Sequence, residues 1–227
     1  MKRYIEAKPY PFPYNGDLRP ENTAMLVIDM QVDFLAPGGW AEMAGADLKV
    51  MRAPIPNHQK VLAAARKGGF PVIYTREGHR ADGSDLTEVK LFRSRLIGAG
   101  IGDNSRLGRN LVRGEPGWEI VPELAPHPSD PIIDKPGSGA FYSTELEHIL
   151  VRRGIRNLII MGVTTEVCVH TTLREASDRG FDNLLLEDCC AATVPALHQA
   201  AVEIIRSPDS IFGTVSTSDK FIAGISS

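Results

Sequence analysis

Apolar residues in this chain come in short unbroken runs of strand length, with stretches of helical spacing between them. Ala24-Met25-Leu26-Val27-Ile28 is the first run, and residues 71–75, 131–134, 157–161, 183–187 and 213–216 supply five more. Helical periodicity marks residues 55–67, 145–153, 166–178 and 195–205. Three of these end at glycine: Gly68-Gly69, Gly154 and Gly180. Strands that read as continuous aliphatic runs are buried on both faces, and regular alternation with helices makes the sheet parallel. The pattern therefore predicts a doubly wound α/β fold, a Rossmann-like six-stranded parallel sheet with helices on both faces.

Two stretches stand outside the alternation. Residues 1–22 carry Pro9, Tyr10, Pro11, Phe12, Pro13 and Tyr14, which disfavours helix. They read as an extended N-terminal arm packed on its own domain or on a partner subunit, with residues 23–227 as the domain proper. Residues 76–117 are polar and glycine-rich, with one short helix expected near 91–96. A connection this long in a compact domain is a functional excursion, a lid or a subunit contact.

Composition narrows the class. The 227 residues are 43% hydrophobic and 23% charged, with a net charge of −3. A nearly neutral chain offers no electrostatic footprint for nucleic acid or an anionic membrane. No apolar stretch approaches the roughly 20 residues of a bilayer span, and the N-terminus lacks the apolar core of a signal peptide. Three cysteines make no disulfide framework, so a cytoplasmic location is expected.

In an open parallel sheet, ligands bind beyond the carboxyl ends of the strands. Asp29 follows the first strand, Lys135 the third, and Cys168 the fourth with its turn. Cys168 lies where a strand passes into a helix, and the positive end of a helix favours thiolate over thiol. Asp29 is placed to take a thiol proton and return it to a leaving nitrogen, with Lys135 keeping the anions compatible. Each residue also has a bland use: Asp29 as a turn cap, Lys135 as a solvated charge, Cys168 as a small buried hydrophobe. Cys189 and Cys190 read as structural, and Lys90, Arg93 and Arg95 as a solvated run, a lid or a subunit contact. Phe34 and Phe141, each shortly after a member of the trio, are candidate apolar walls. Glu166 is a candidate for substrate N–H groups or a simple N-terminal carboxylate.

The segments Ile28-Asp29-Met30-Gln31-Val32-Asp33-Phe34, Lys135-Pro136-Gly137-Ser138-Gly139-Ala140-Phe141 and Gly162-Val163-Thr164-Thr165-Glu166-Val167-Cys168-Val169 resemble the isochorismatase-like cysteine hydrolases. The resemblance spans roughly residues 20–220. It implies a catalytic triad of Asp29, Lys135 and Cys168, a cis peptide at Val163-Thr164, and an oxyanion hole from the Thr164 and Cys168 N–H groups. It also implies a dimer or tetramer without cofactor. Tyr10 to Gly16, Thr75-Arg76-Glu77-Gly78-His79-Arg80 and Arg113 to Trp118 are similar to biuret hydrolase and its relatives. That likeness implies cleavage of a small carbamoyl amide such as biuret or triuret, with release of ammonia. Ser138 and Pro208 depart from the biuret pattern, which keeps ureidoacrylate and N-carbamoyl amino acids as alternatives. Nicotinamidase-like chemistry is disfavoured, because His79 lacks the further histidines of that branch's metal site, and no metal is expected.

Overall fold

The computed structural model describes residues 2–209 and 211–226. Six strands, β1 (Thr23–Ile28), β2 (Val72–Glu77), β5 (Ile132–Lys135), β6 (Asn157–Val163), β7 (Asp182–Ala191) and β8 (Thr214–Ser216), form one sheet in the order β5-β2-β1-β6-β7-β8. Every neighbouring pair is parallel. The chain starts at the centre, moves outward through β2 and β5, then returns beside β1 and moves out the other way. Side chains alternate between faces along a strand, yet all of β1 and all of β6 are buried, so helices cover both faces. The reversal of strand order falls between β1 and β6. That is where a doubly wound sheet opens a crevice at its carboxyl edge.

The principal helices are α4 (Ile55–Lys67), α5 (Glu88–Leu96), α6 (Leu146–Arg152), α7 (His170–Asp178), α8 (Pro195–Arg206) and α9 (Ser218–Ser226). Short helices α1 (Val32–Leu35), α2 (Trp40–Met43) and α3 (Leu48–Arg52) fill the connection after β1. None of these three is evident in the sequence pattern, because four or five residues are too few to show a helical period; the nine-residue α9 also lies outside the helices expected from that pattern. Helix α4 ends as expected, with Gly68 at its cap and Gly69 at a φ of +75°.

Strand β7 and the N-terminal arm both differ from the sequence expectation. Strand β7 runs four residues past Glu187, through Asp188, Cys189 and Cys190. The Asp188 charge that reads as a strand end is held by the Ser218 N–H at 2.8 Å and the Asn57 amide at 3.2 Å, so the strand continues. The N-terminal arm is not extended throughout. Ile5 and Phe12 pair antiparallel and are fully buried, and Lys8 bridges antiparallel to Val215 of β8. The arm thus folds back on itself and covers the β8 edge, which satisfies backbone groups an open edge would leave unpaired.

The excursion is ordered as well. A two-stranded ribbon, β3 (Asn104–Ser105) and β4 (Gly108–Arg109), follows α5. The excursion is tied down where His79 bridges to Val112 and Gln31 to Ile120. Asp33 holds it from the other side, accepting the Leu111 N–H at 2.8 Å.

Candidate active site

Asp29 is the first residue beyond β1, takes a φ of +48° and is fully buried. Its Oδ1 accepts the Thr75 hydroxyl at 2.6 Å, and its Oδ2 lies 2.8 Å from Lys135 Nζ. Lys135 ends β5, fully buried, and also donates to the Gly137 and Ser138 carbonyls at 2.9 and 3.1 Å. Cys168 arrives from the other half of the sheet. The Asp29, Glu77 and Cys168 acid atoms all lie within 4.8 Å of one another. The structure therefore brings Asp29, Lys135 and Cys168 into one place at the switch point.

Sequence reasoning missed Glu77. With the second strand ended at Thr75, this residue fell into the excursion. Strand β2 in fact continues to Glu77, whose register partner across the ladder is Lys135. Glu77 Oε2 lies 3.2 Å from Lys135 Nζ and accepts the Cys168 thiol at 3.1 Å. Its Oε1 accepts Lys90 Nζ, of α5, at 2.8 Å. The carboxyl-edge argument that found the other three would have found Glu77, had the strand been read two residues longer. Lys90 is correspondingly neither a solvated charge nor a mere lid residue: it is ion-paired inside the site.

Asp29, Lys135, Glu77 and Lys90 alternate in sign, and that alternation makes their burial tolerable. Burial pushes the Asp29 carboxyl up, against the pull of Lys135. Burial acts the same way on Glu77, but there Lys135 and Lys90 win and hold it at about 2. Lys135 is raised despite its own burial, by Asp29, Cys168 and Glu77. Burial also drives the Cys168 thiol well up, with Lys135 opposing and the two carboxylates adding to the rise.

This corrects the expectation that a helix end makes Cys168 a resting thiolate. The residue does not sit at an α-helix N-terminus. It lies inside a π-helical turn, Thr165–Val169, that precedes α7. Removal from water and two adjacent carboxylates outweigh the helix end and favour the protonated thiol. Cys189 and Cys190 are buried on β7, and burial raises both thiols too, Cys190 to about 12.

The site opens into a cavity of about 400 Å³. Phe34, Trp40, Ile101 and Leu111 give it apolar walls, and Arg93, Ser138, Thr164 and Glu166 give it polar points. Phe34 stands edge-on to Trp40, with ring centroids 5.5 Å apart. Glu166 accepts the Thr193 hydroxyl at 3.3 Å through Oε1, while its Oε2 is buried with no hydrogen-bond partner among the described residues. Phe141 does not line the cavity, contrary to expectation. Its ring packs on Phe181 at 5.9 Å with Arg179 over it, because its position on the loop after Lys135 faces the helix layer. Pro208, which departs from the biuret pattern, lies away from this cavity and lines a separate surface groove with Glu203 and Phe212. The Val163–Thr164 peptide is cis. Asp29, Glu77 and Cys168 offer ligand-type atoms, but the Lys135 ammonium already lies against both carboxylates, where a metal ion would have to displace it.

A buried carboxylate–lysine–thiol cluster at the switch point of a parallel sheet is an arrangement suited to the chemistry of a cysteine hydrolase. The isochorismatase domain model matches residues 23–220, and the chain belongs to that family. It is similar to the ureidoacrylate amidohydrolase RutB of Acinetobacter baylyi, with 32% identity over 90% of this chain and 84% of that protein. Among solved structures it is similar to a cysteine hydrolase from Pseudomonas syringae pv. phaseolicola, with a TM-score of 0.79 and 28% identity over 100% of this chain and 98% of the other. It is also similar to an isochorismatase family protein from Desulfovibrio vulgaris, with a TM-score of 0.74 and 29% identity, covering 91% and 99% of the two chains. The protein is an enzyme, an amidohydrolase of this family. Among the described residues, no helix is long and apolar enough to cross a membrane.

Proposed function

We propose that this chain is a cysteine amidohydrolase that cleaves a C–N bond of a small ureido compound, and that a ureido acid of the ureidoacrylate type suits it better than neutral biuret or triuret. The observation that carries the reading is the buried Asp29–Lys135 ion pair at 2.8 Å with the Cys168 sulfur within 4.8 Å of the Asp29 carboxylate, Cys168 itself lining the cavity. Cys168 sulfur attacks the ureido carbonyl as its proton passes to Asp29, whose raised proton affinity suits a base. The carbonyl π pair moves to oxygen, which rests on the Thr164 and Cys168 N–H groups. Such donors are worth about 3 kcal/mol each in comparable sites. The C–N bond then breaks, Asp29 gives its proton to the leaving nitrogen, and water hydrolyses the thioester. Ammonia is released directly or from the carbamate formed.

Two features favour the ureido acid over biuret, which was the leading expectation from the sequence. The relative from Acinetobacter baylyi is a ureidoacrylate amidohydrolase. Arg93 lines the cavity and has no ion-pair partner among the described residues, so it can meet a substrate carboxylate that biuret lacks. Ser138 supplies no charge where the biuret pattern has lysine. Glu166, with its unpartnered oxygen, suits the ureido N–H groups, and Phe34 packs on the flat substrate.

The test is ammonia release from ureidoacrylate, N-carbamoyl amino acids, biuret and triuret by wild type, Cys168→Ala and Arg93→Gln. Cys168→Ala should be inactive on all four. Arg93→Gln should raise KM at least tenfold for the acids and leave that for biuret unchanged. Turnover of biuret alone by the wild type would overturn the preference for an acid, and an active Cys168→Ala would overturn the mechanism.

A further inference from the structure

Among the described residues, Glu77 is the hydrogen-bond acceptor of the nucleophile, at 3.1 Å from Cys168 Sγ. Asp29 has both oxygens engaged elsewhere, on Thr75 and Lys135. Glu77 is itself held on every side. Gln31 accepts its N–H at 2.7 Å and donates to its carbonyl at 3.0 Å, fixing the backbone. Lys135 of β5 and Lys90 of α5 grip the two carboxylate oxygens separately. Lys90 also donates to the Pro136 carbonyl at 2.7 Å, so the excursion is fastened to the loop that leaves the catalytic lysine.

We infer that Glu77 is a fourth residue of the catalytic centre, holding the resting thiol proton of Cys168 until substrate arrives, and that Lys90 secures Glu77 in that task. A carboxylate whose charge is fixed by two ammonium groups is a good hydrogen-bond acceptor and a poor proton acceptor. It therefore aims the S–H without taking the proton. Its negative charge also opposes a thiolate at Cys168, which protects the sulfur from adventitious chemistry. Once a carbonyl carbon is in place, the S–H bond breaks towards Asp29, the more basic carboxylate, and the C–S bond forms. No further reagent is needed. The charged and titratable groups facing this thiol are Asp29 from the end of β1, Glu77 from β2 and Lys135 from β5. Lys90 from α5 acts through Glu77, and Arg93 and Glu166 line the same cavity.

The inference rests on Cys168 being the nucleophile. Alkylation by iodoacetamide, followed at Cys168 by peptide mass spectrometry across pH, reads that sulfur without any substrate. A failure here would leave the substrate assignment standing. Glu77→Gln removes the opposing charge, so alkylation at neutral pH should quicken about tenfold and its midpoint move to lower pH. Turnover should still fall at least tenfold, because the S–H and Lys135 lose their anchor, and Glu77→Asp should recover part of it. Lys90→Gln leaves Glu77 less compensated and should shift alkylation the opposite way, to slower rates and a higher midpoint. Opposite shifts are a signature that a merely structural role would not give. An unchanged or slower Glu77→Gln thiol, or shifts of the same sign in both variants, would overturn the inference. Should Glu77→Gln fail to fold, the half-exposed Lys90→Gln decides alone: slower alkylation supports the inference, and unchanged or faster alkylation overturns it.

Discussion

Gly162→Ala is the sharpest test of how the fold positions the site. Gly162 sits in β6 opposite Ile28 of β1, at the switch point, with a φ of +133° that an L side chain rarely adopts. A methyl there would overlap the Ile28 carbonyl oxygen and lie 2.8 Å from both the Ile28 nitrogen and carbonyl carbon. An ordinary contact needs roughly 3.5 Å or more, so β1 and β6 must separate by about an ångström or more. Overpacking costs about 1–3 kcal/mol and backbone strain about 1–3 kcal/mol. Together they predict roughly 4 kcal/mol, or about 8–16 °C in Tm for a chain of this size. Asp29 follows Ile28 directly and Cys168 follows the β6 turn, so the same separation misplaces the acid against the sulfur. A displacement of about 1 Å costs on the order of 100-fold in rate. The control is Gly180→Ala, at a φ of +82° with nothing among the described residues within 4 Å, which costs only the backbone strain and should keep full turnover. Thermal melts and ammonia release from the best ureido substrate measure both. Were Gly162→Ala as stable and active as Gly180→Ala, the close approach of β1 and β6 would not position this site.

Lys135→Met should abolish turnover and lower stability by about 3–5 kcal/mol, roughly 6–20 °C in Tm, because it leaves Asp29 and Glu77 buried without the charge between them. A melting temperature at pH 7 equal to wild type would contradict the alternating charge arrangement. His58 predicts an acid dependence. It is fully buried, its Nε2 contacts the Cys189 carbonyl at 2.8 Å, and burial holds it down at about 4. A depressed histidine contributes stability above its unfolded value of 6.5 that is lost as pH falls towards 4, about 2 kcal/mol of it by pH 5. Asp33, raised to about 6 by burial, works in the opposite sense. The urea unfolding of wild type and His58→Leu is therefore compared at pH 7.5 and 5, and the gap between them should narrow by about 2 kcal/mol on acidification.

The sheet was legible in the chain because buried parallel strands must be unbroken aliphatic runs, and β1 and β6 are apolar on both faces. Six strands in alternation with helices leave few topologies, and these send Asp29, Lys135 and Cys168 to one edge. What was illegible is local or long-range in origin. Helices α1 to α3 are too short for periodicity. Strand β7 runs through a charge that Ser218 and Asn57 satisfy from remote segments. Phe34 and Phe141 look alike beside their triad residues, and only packing turns one to the cavity and the other to Phe181.

The order of residues thus determined the fold class and the sheet edge at which Asp29, Lys135 and Cys168 lie, since hydrophobic period and strand-end position are properties of the chain alone. Only the folded molecule decided the ionisation of the centre. Proton affinity depends on exclusion of water and on charges brought from β2, β5 and α5, and those distances exist nowhere in the sequence.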